Sequence, residues 1–286
     1  MTIKIITDST SYIDPKICQQ LDITLLPLSV YFNDGISFLD DPANSNAFFA
    51  KLRKHTTLPT SSQPPQGLLY YTFKEILEQG NEIISIFLSS RISGTFASAV
   101  AVKSMLEAEY PQAQIAVLDS RTTAMAMGLI AIAGAQANQS GKPFAEILQT
   151  MQSLIARVHF YFIPQTLENL QKGGRIGPAA AFLGSILNIR PVLYVNNGVV
   201  DAFKKCHGTN GAINEMMATA RHWAQTKNGI SNISIAHIQM PERAQEIAAE
   251  SRKIFAQEVS IVSIGPVLGT HVGEGAVGMA FSTNEP

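Results

Sequence analysis

Apolar residues in this chain fall into short runs that close on small hydroxyl-bearing residues, and the most informative run lies within residues 83–102. Ile83, Ile84, Ile86, Phe87 and Leu88 make an Ile-rich stretch, the pattern of a strand buried on both faces. It closes on Ser89-Ser90-Arg91-Ile92-Ser93-Gly94-Thr95, and an Ala-rich segment from Phe96 resumes with helical character. A polar loop between strand end and helix start gathers free N–H groups and hydroxyls, which favours a carboxylate or phosphate there. Ser93 and Thr95 would serve equally as helix caps, so the pattern alone leaves both roles open.

The same grammar opens the chain, where residues 3–6 lead into Thr7-Asp8-Ser9-Thr10-Ser11, and it returns where residues 115–118 lead into Asp119-Ser120. Three such strands, with helical patterns after at least two of them, predict an open parallel sheet with ligand groups along its carboxyl edge. Asp8 and Asp119 fit plain N-caps as well. Asn33-Asp34-Gly35 predicts a hairpin joining 28–32 to 36–38, and 46–54 reads as a short helix. Residues 58–65 place Pro59, Pro64 and Pro65 around a hydroxyl cluster, which predicts an irregular loop. Helical spacing resumes over 67–79.

Residues 122–138 predict a helix without charge and apolar all round its core, which must be buried on every side. It is either a central helix packed on a sheet or, through the adaptable Met125 and Met127 with Ile130, a wall of an apolar cavity. An amphipathic helix follows over 144–155 and an aromatic strand over 160–163. The domain boundary is placed here, giving an N-terminal α/β domain (1–161) and a C-terminal α/β domain (162–286). In the second, Gly173-Gly174 ends a short helix and leaves Arg175 in a rigid, exposed turn. A helix over 179–187, a hairpin of 191–195 with 199–203 through Asn196-Asn197-Gly198, helices 212–224 and 243–255, and strands 233–238 and 259–264 complete it. The fold class is α/β: a mostly parallel sheet flanked by helices, then a smaller mixed unit, with a ligand between them.

Composition narrows the partners. Two domains suit 286 residues, and 46% hydrophobic against 15% charged residues describe a well-buried protein. Lys and Arg number 21 against 22 Asp and Glu, a net charge of -1 that argues against nucleic acid or an anionic membrane as main partner. Cys18 and Cys206 lie far apart, as in a reducing compartment. The most membrane-like segment, 125–137, is too short for a span, and residues 3–6 read as strand and not as signal peptide. A cytoplasmic protein is expected.

Familiar chemistry is scarce. Gly273-Glu274-Gly275-Ala276-Val277-Gly278 spells a dinucleotide fingerprint, but only eight residues follow it, so the helix and acidic residue it requires have no room. The histidines at 55, 159, 207, 222, 237 and 271 show no metal spacing, and neither metal nor cofactor is expected. His271 stands in a glycine-rich stretch (265–275) where backbone could pass close to a ligand, or where the ring is merely solvated. A hydrolase pairing Ser93 with His271 lacks an evident third member.

Taken together, Thr7-Asp8-Ser9, Ser61-Ser62-Gln63-Pro64, Ser93-Gly94-Thr95, Asp119-Ser120, Gly173-Gly174-Arg175-Ile176, Leu187-Asn188-Ile189-Arg190-Pro191 and Gly269-Thr270-His271-Val272-Gly273 resemble the DegV family along essentially the whole chain. The resemblance implies a bacterial cytoplasmic carrier of two α/β domains, not itself an enzyme. Such a carrier holds a long-chain fatty acid and presents its carboxylate to a fatty acid kinase, feeding phospholipid synthesis. It implies a carboxylate site of Ser61, Ser62, Ser93, Gly94 and His271, and a kinase-facing role for Arg175. The family usually has Thr at 61, Lys at 190 and Pro at 274; the chain has Ser61, Arg190 and Glu274, the last an acid three residues from His271. The apolar helix with Met125, Met127 and Ile130 would wall the acyl tunnel, where burial contributes ~0.8 kcal/mol per CH₂. A phosphotransferase or hydrolase subunit using His271 is the alternative.

Overall fold

The computed structural model describes residues 2–184 and 189–285, and their strands form three sheets. In chain order the elements are β1 (Ile3–Asp8), α1 (Pro15–Leu21), β2 (Ile23–Leu26), β3 (Ser29–Tyr31), β4 (Ser37–Leu39), α2 (Ser45–Leu52), β5 (Thr60–Ser62), α3 (Gln66–Glu78), β6 (Glu82–Phe87), α4 (Thr95–Glu109), β7 (Ile115–Asp119), α5 (Ala124–Gln139) and α6 (Phe144–Ile155). There follow β8 (Val158–Ile163), α7 (Glu168–Lys172), β9 (Ile189–Asn196), β10 (Val199–His207), α8 (Gly208–Thr226), β11 (Ile230–His237), α9 (Pro241–Phe255), β12 (Val259–Ser263), α10 (Pro266–Val272) and β13 (Val277–Thr283).

The first sheet is parallel in the order β2-β1-β6-β7. On β6, Ile83 and Phe87 enter one apolar cluster while Ile84, Ile86 and Leu88 enter another, which is why this run is apolar on both faces. The second sheet, β10-β9-β8-β13-β11-β12, is mixed, with only β11 and β12 parallel. All of β8 pairs within it, so a boundary after residue 161 would cut a strand; the change of sheet comes before Val158.

Helix α5 explains its own composition. It packs against β1 and β6 of the parallel sheet and against β8, β11 and β13 of the mixed one, so no face is left for a charge. A Cβ on Gly128 would lie 2.8 Å from the Ser11 carbonyl, so the small residue is what allows the close approach. Met125, Met127 and Ile130 are buried in this core, between the sheets.

The third sheet, β4-β3-β5, corrects the expectation for residues 58–65. Thr60 to Ser62 is a strand, with Val30 opposite Ser61. The flanking prolines hold it to three residues at a sheet edge, where a missing N–H costs least. The helix expected over 179–187 is a 3-10 helix, Gly177–Phe182; residues 185–187 of that expectation lie outside the described residues. The glycine-rich segment around His271 is helical up to Val272, so His271 does not stand in a loop, and only residues 273–276 form a turn. Pro266 opens α10 and Gly265 precedes it, where a Cβ would press on Asp40 Oδ1 at 2.7 Å.

Candidate functional site

A cavity of about 280 Å³ opens where the three sheets meet. The loop after β6 brings Leu88, Ile92, Ser93 and Gly94; β5 of the small sheet brings Ser61 and Ser62, with Leu28 just before β3; the mixed sheet brings Phe160, Phe162, Val195, Val200, Ala236 and Gly278; α10 brings Val267, Leu268, His271 and Val272. Aromatic and aliphatic side chains form most of the wall, and Ser61, Ser62, Gln63, Ser93, Thr123, Arg175, His237 and His271 are its polar members. Ser61, Ser62, Ser93, Gly94 and His271, far apart in sequence, thus line one space. Met125, Met127 and Ile130 do not line it: Thr123, just before α5, is the part of that segment that does. Met127→Trp should therefore lower stability by ~1–3 kcal/mol through overpacking and leave ligand preference unchanged. Melting temperature and the identity of extracted ligand test the two halves of this expectation.

The hydroxyls are aimed by their partners. His271 Nε2 lies 2.8 Å from Ser61 Oγ, and its Nδ1 is buried without a hydrogen-bond partner among the described residues. A stranded lone pair costs less than a stranded N–H, so the proton belongs on Nε2. Nε2–H then donates to Ser61 Oγ, and the Ser61 hydroxyl proton is free to point into the cavity. Ser93 Oγ accepts from the Thr95 amide at 3.3 Å and lies 3.0 Å from Thr95 Oγ1. With both as donors to it, Ser93 also keeps its own proton for the cavity. Capping and ligation, alternatives in the sequence, are compatible in this geometry.

Burial first, and the positive charge of Arg175 second, hold the His271 imidazole down to about 4, so it is neutral at pH 7. That influence means Arg175 does not simply project outward as the Gly-Gly turn suggested. Its Nε donates to Ile92 O at 3.2 Å and a terminal N–H to Gly173 O at 2.8 Å, so an otherwise exposed side chain lies over the mouth of the cavity. Gly173 has to be glycine, because a Cβ there would collide with His271 Nδ1. Glu274, an acid near the site by sequence, is ion-paired to Arg53.

Two buried carboxylates outside the cavity hold its parts in place, and sequence reasoning gave them no such part. Asp8 accepts from Thr10 N, Thr10 Oγ1 and Leu88 N, fixing the end of β6 before the Ser93 loop. Asp40 accepts from Ser9 Oγ (2.9 Å), Tyr12 OH (3.0 Å) and Val267 N (2.8 Å), the last in the first turn of the helix that carries His271. Burial raises Asp8 to about 6 and Asp40 to about 7. Of the two residues that fitted N-caps in the sequence, Asp8 caps the 3-10 helix Ser9–Ser11 through Thr10 N, whereas Asp119 accepts from Ser90 N, Ser90 Oγ and Arg121 N and caps no helix, Thr123 being the residue before α5. Among the described residues no cluster of His, Cys, Asp and Glu could hold a metal ion, and no helix is long and apolar enough to cross a membrane.

Comparison with known proteins agrees over the full length. Residues 2–284 match the family model described as "Uncharacterised protein, DegV family". A DegV domain-containing protein of Clostridium perfringens is 36% identical over 282 residues, covering 99% of each chain. Among solved structures, DegV of Bacillus subtilis, described as a fatty acid binding protein, superposes with a TM-score of 0.86 at 32% identity, covering 99% of this chain and 100% of that one. A DegV family protein from Thermus thermophilus, reported for its fatty acid binding, gives 0.88 at 27% identity, with 99% and 100% covered.

Proposed function

The chain belongs to the DegV family, and from that premise we propose that it carries a long-chain fatty acid in this cavity and presents the carboxylate at its mouth. The observation that supports this most is the pairing of an apolar cavity with the neutral hydroxyls of Ser61 and Ser93, beside the Gly94 end of α4; Ser62 also lines the cavity and gives its own proton to Gln63 O at 3.2 Å. A carboxylate needs donors only, and hydroxyls supply them without burying a second charge. His271 acts through Ser61, its Nε2–H setting the direction of the Ser61 hydroxyl. The apolar wall supplies affinity at ~0.8 kcal/mol per CH₂ removed from water. The acceptor of the cargo is a fatty acid kinase, which phosphorylates the carboxylate in the cytoplasm for entry into phospholipid synthesis.

Use of His271 as a catalytic base is the weaker reading. Its Nε2 does face a serine hydroxyl, but its Nδ1 faces the Gly173 backbone where a hydrolase would place an orienting carboxylate. Mass spectrometry of an organic extract of the purified protein separates the two. A stoichiometric fatty acid supports the carrier, and an empty protein that turns over esters or phosphoesters overturns it. Ser93→Ala should weaken palmitate binding by ~1.5–3 kcal/mol, the range for hydrogen bonds to a charged group. Unchanged affinity in the folded variant would remove Ser93 from the carboxylate site.

A further inference from the structure

Residues 29–62 carry β3, β4, α2 and β5, and this unit lies along α10 from one end to the other. Helix α2 runs beside α10 in the same direction. Ser45 at its start donates to Ile264 O at 3.3 Å, and Phe49 sits against Gly269, where a Cβ would strike the ring. Arg53 at its end pairs with Glu274, in the turn that follows α10. We propose that this unit is a flap over the cavity and that the Arg53–Glu274 ion pair is its latch, setting how fast a fatty acid enters and leaves. The inference rests on the fatty-acid reading above and adds kinetic control to it.

The two ends of α10 are held differently. At the N-terminal end the links to the unit are buried: besides the Ser45 bond, Asp40 accepts from Val267 N at 2.8 Å. Parting them strands a buried carboxyl group and a backbone N–H, so this end is the hinge. At the C-terminal end, two polar links cross the seam among the described residues. One joins Ser61 Oγ to His271 Nε2 at 2.8 Å, and the other is Arg53 with Glu274. Arg53 is exposed and Glu274 half-buried, so both charges regain water when they part. Gly273, at φ +82°, makes the turn that carries Glu274 away from α10 and towards Arg53.

The unit is braced to move as one body. Asp34, in the turn between β3 and β4, pairs with Lys51 of α2 at 2.5 Å and with His55 just beyond it at 3.4 Å. Opening at the latched end separates Ser61 and Ser62 on β5 from His271 on α10, three residues that line the cavity. The carboxylate end of the cavity is therefore the part such a movement uncovers.

Stopped-flow fluorescence of cis-parinaric acid on the full chain stripped of lipid reads entry, and displacement by excess palmitate reads release. At ~0.01 M ionic strength Glu274→Gln should speed both by ~2–5-fold, the range an exposed ion pair supports, and leave affinity within ~1.5-fold. Arg53→Gln should do the same, and the double variant should be no faster than either single one. The two substitutions change net charge in opposite senses, so a common acceleration excludes steering of the anionic cargo. At ~1 M salt the parent should approach the variants, because screening weakens the pair. Exchanging the charges, Arg53→Glu with Glu274→Arg, should restore most of the slow exchange. Unchanged or oppositely changed rates in the two single variants, or a change confined to release so that affinity falls, overturns the latch and leaves the carrier reading standing. A stripped parent that takes up neither parinarate nor palmitate overturns the carrier reading and the latch with it.

Discussion

Asp40→Asn is expected to be more stable than the parent at pH 8 and to lose that advantage by pH 4. Asp40 is completely buried without a cation, and burial raises its carboxyl from the ordinary 3.8 to about 7, partly offset by its three donors. A raised acid binds its proton more firmly in the folded state, so its stabilising contribution is complete below about pH 4 and is lost as pH rises through 7. A separation of about three pKa units corresponds to ~4 kcal/mol across that window. Asparagine keeps the geometry without the charge: its carbonyl accepts from Tyr12 OH and Val267 N, and its amide donates to Ser9 Oγ. Asp8, raised to about 6, contributes the same sign in the parent. His159 and His271, each lowered to about 4, contribute the opposite sign between 4 and 6.5, so the parent's own profile is flattened. The difference between variant and parent isolates Asp40. Urea unfolding at the two pH values measures it, and a pH-independent difference would mean that Asp40 titrates like an exposed carboxylate.

The sequence carried the architecture where one local signal decided each element. The apolar runs around β1, β6 and β7, the Asn33-Asp34-Gly35 and Asn196-Asn197-Gly198 turns, and the charge-free α5 are such elements, and each forms as expected. What it did not carry depended on distant partners. Thr60 to Ser62 is a strand because β3 offers a free edge some thirty residues earlier, a pairing no local pattern encodes. The glycines of 265–275 resemble a loop, yet Gly269 lies inside α10 and is small because a Cβ would strike the Phe49 ring. Asp40 reads as one acid in an ordinary polar turn, and only the fold places Val267 above it. Of the small hydroxyl residues that line the cavity, strand-to-helix grammar pointed to Ser93, whereas Ser61 and Ser62 were legible only through the family resemblance. The direction of Arg175 was not. A Gly-Gly turn fixes where the backbone goes but leaves a long side chain free to return over the Ile92 carbonyl.

That returned side chain sets the other large expected effect. On the proposed function, Arg175→Ala should cut acyl-phosphate formation by ~10²-fold or more with a fatty acid kinase, while palmitate affinity falls by ~10-fold at most. A guanidinium placed on a transferring phosphoryl group is worth ~10³–10⁵ in rate, and solvent exposure here argues for the lower end or below. Because Arg175 lines the cavity with Ser93 and Gly94 while remaining exposed, the proposed function gives it two roles, stabilising charge in the transition state and touching the kinase. The two roles part in the kinetics. Loss of docking alone raises the KM for the loaded protein and leaves kcat intact, whereas loss of charge at the reacting phosphorus lowers kcat. The mouth geometry favours a fall in kcat, and Arg175→Lys should recover only part of it, since an ammonium keeps the charge but not the planar fork. His271 supplies an internal check. Removing the Arg175 charge relieves one of the two causes that depress its imidazole, so its titration followed by NMR should move upward in Arg175→Ala. A titration that stays where it was, together with a pure KM effect, would send Arg175 back to the outer surface as a docking residue.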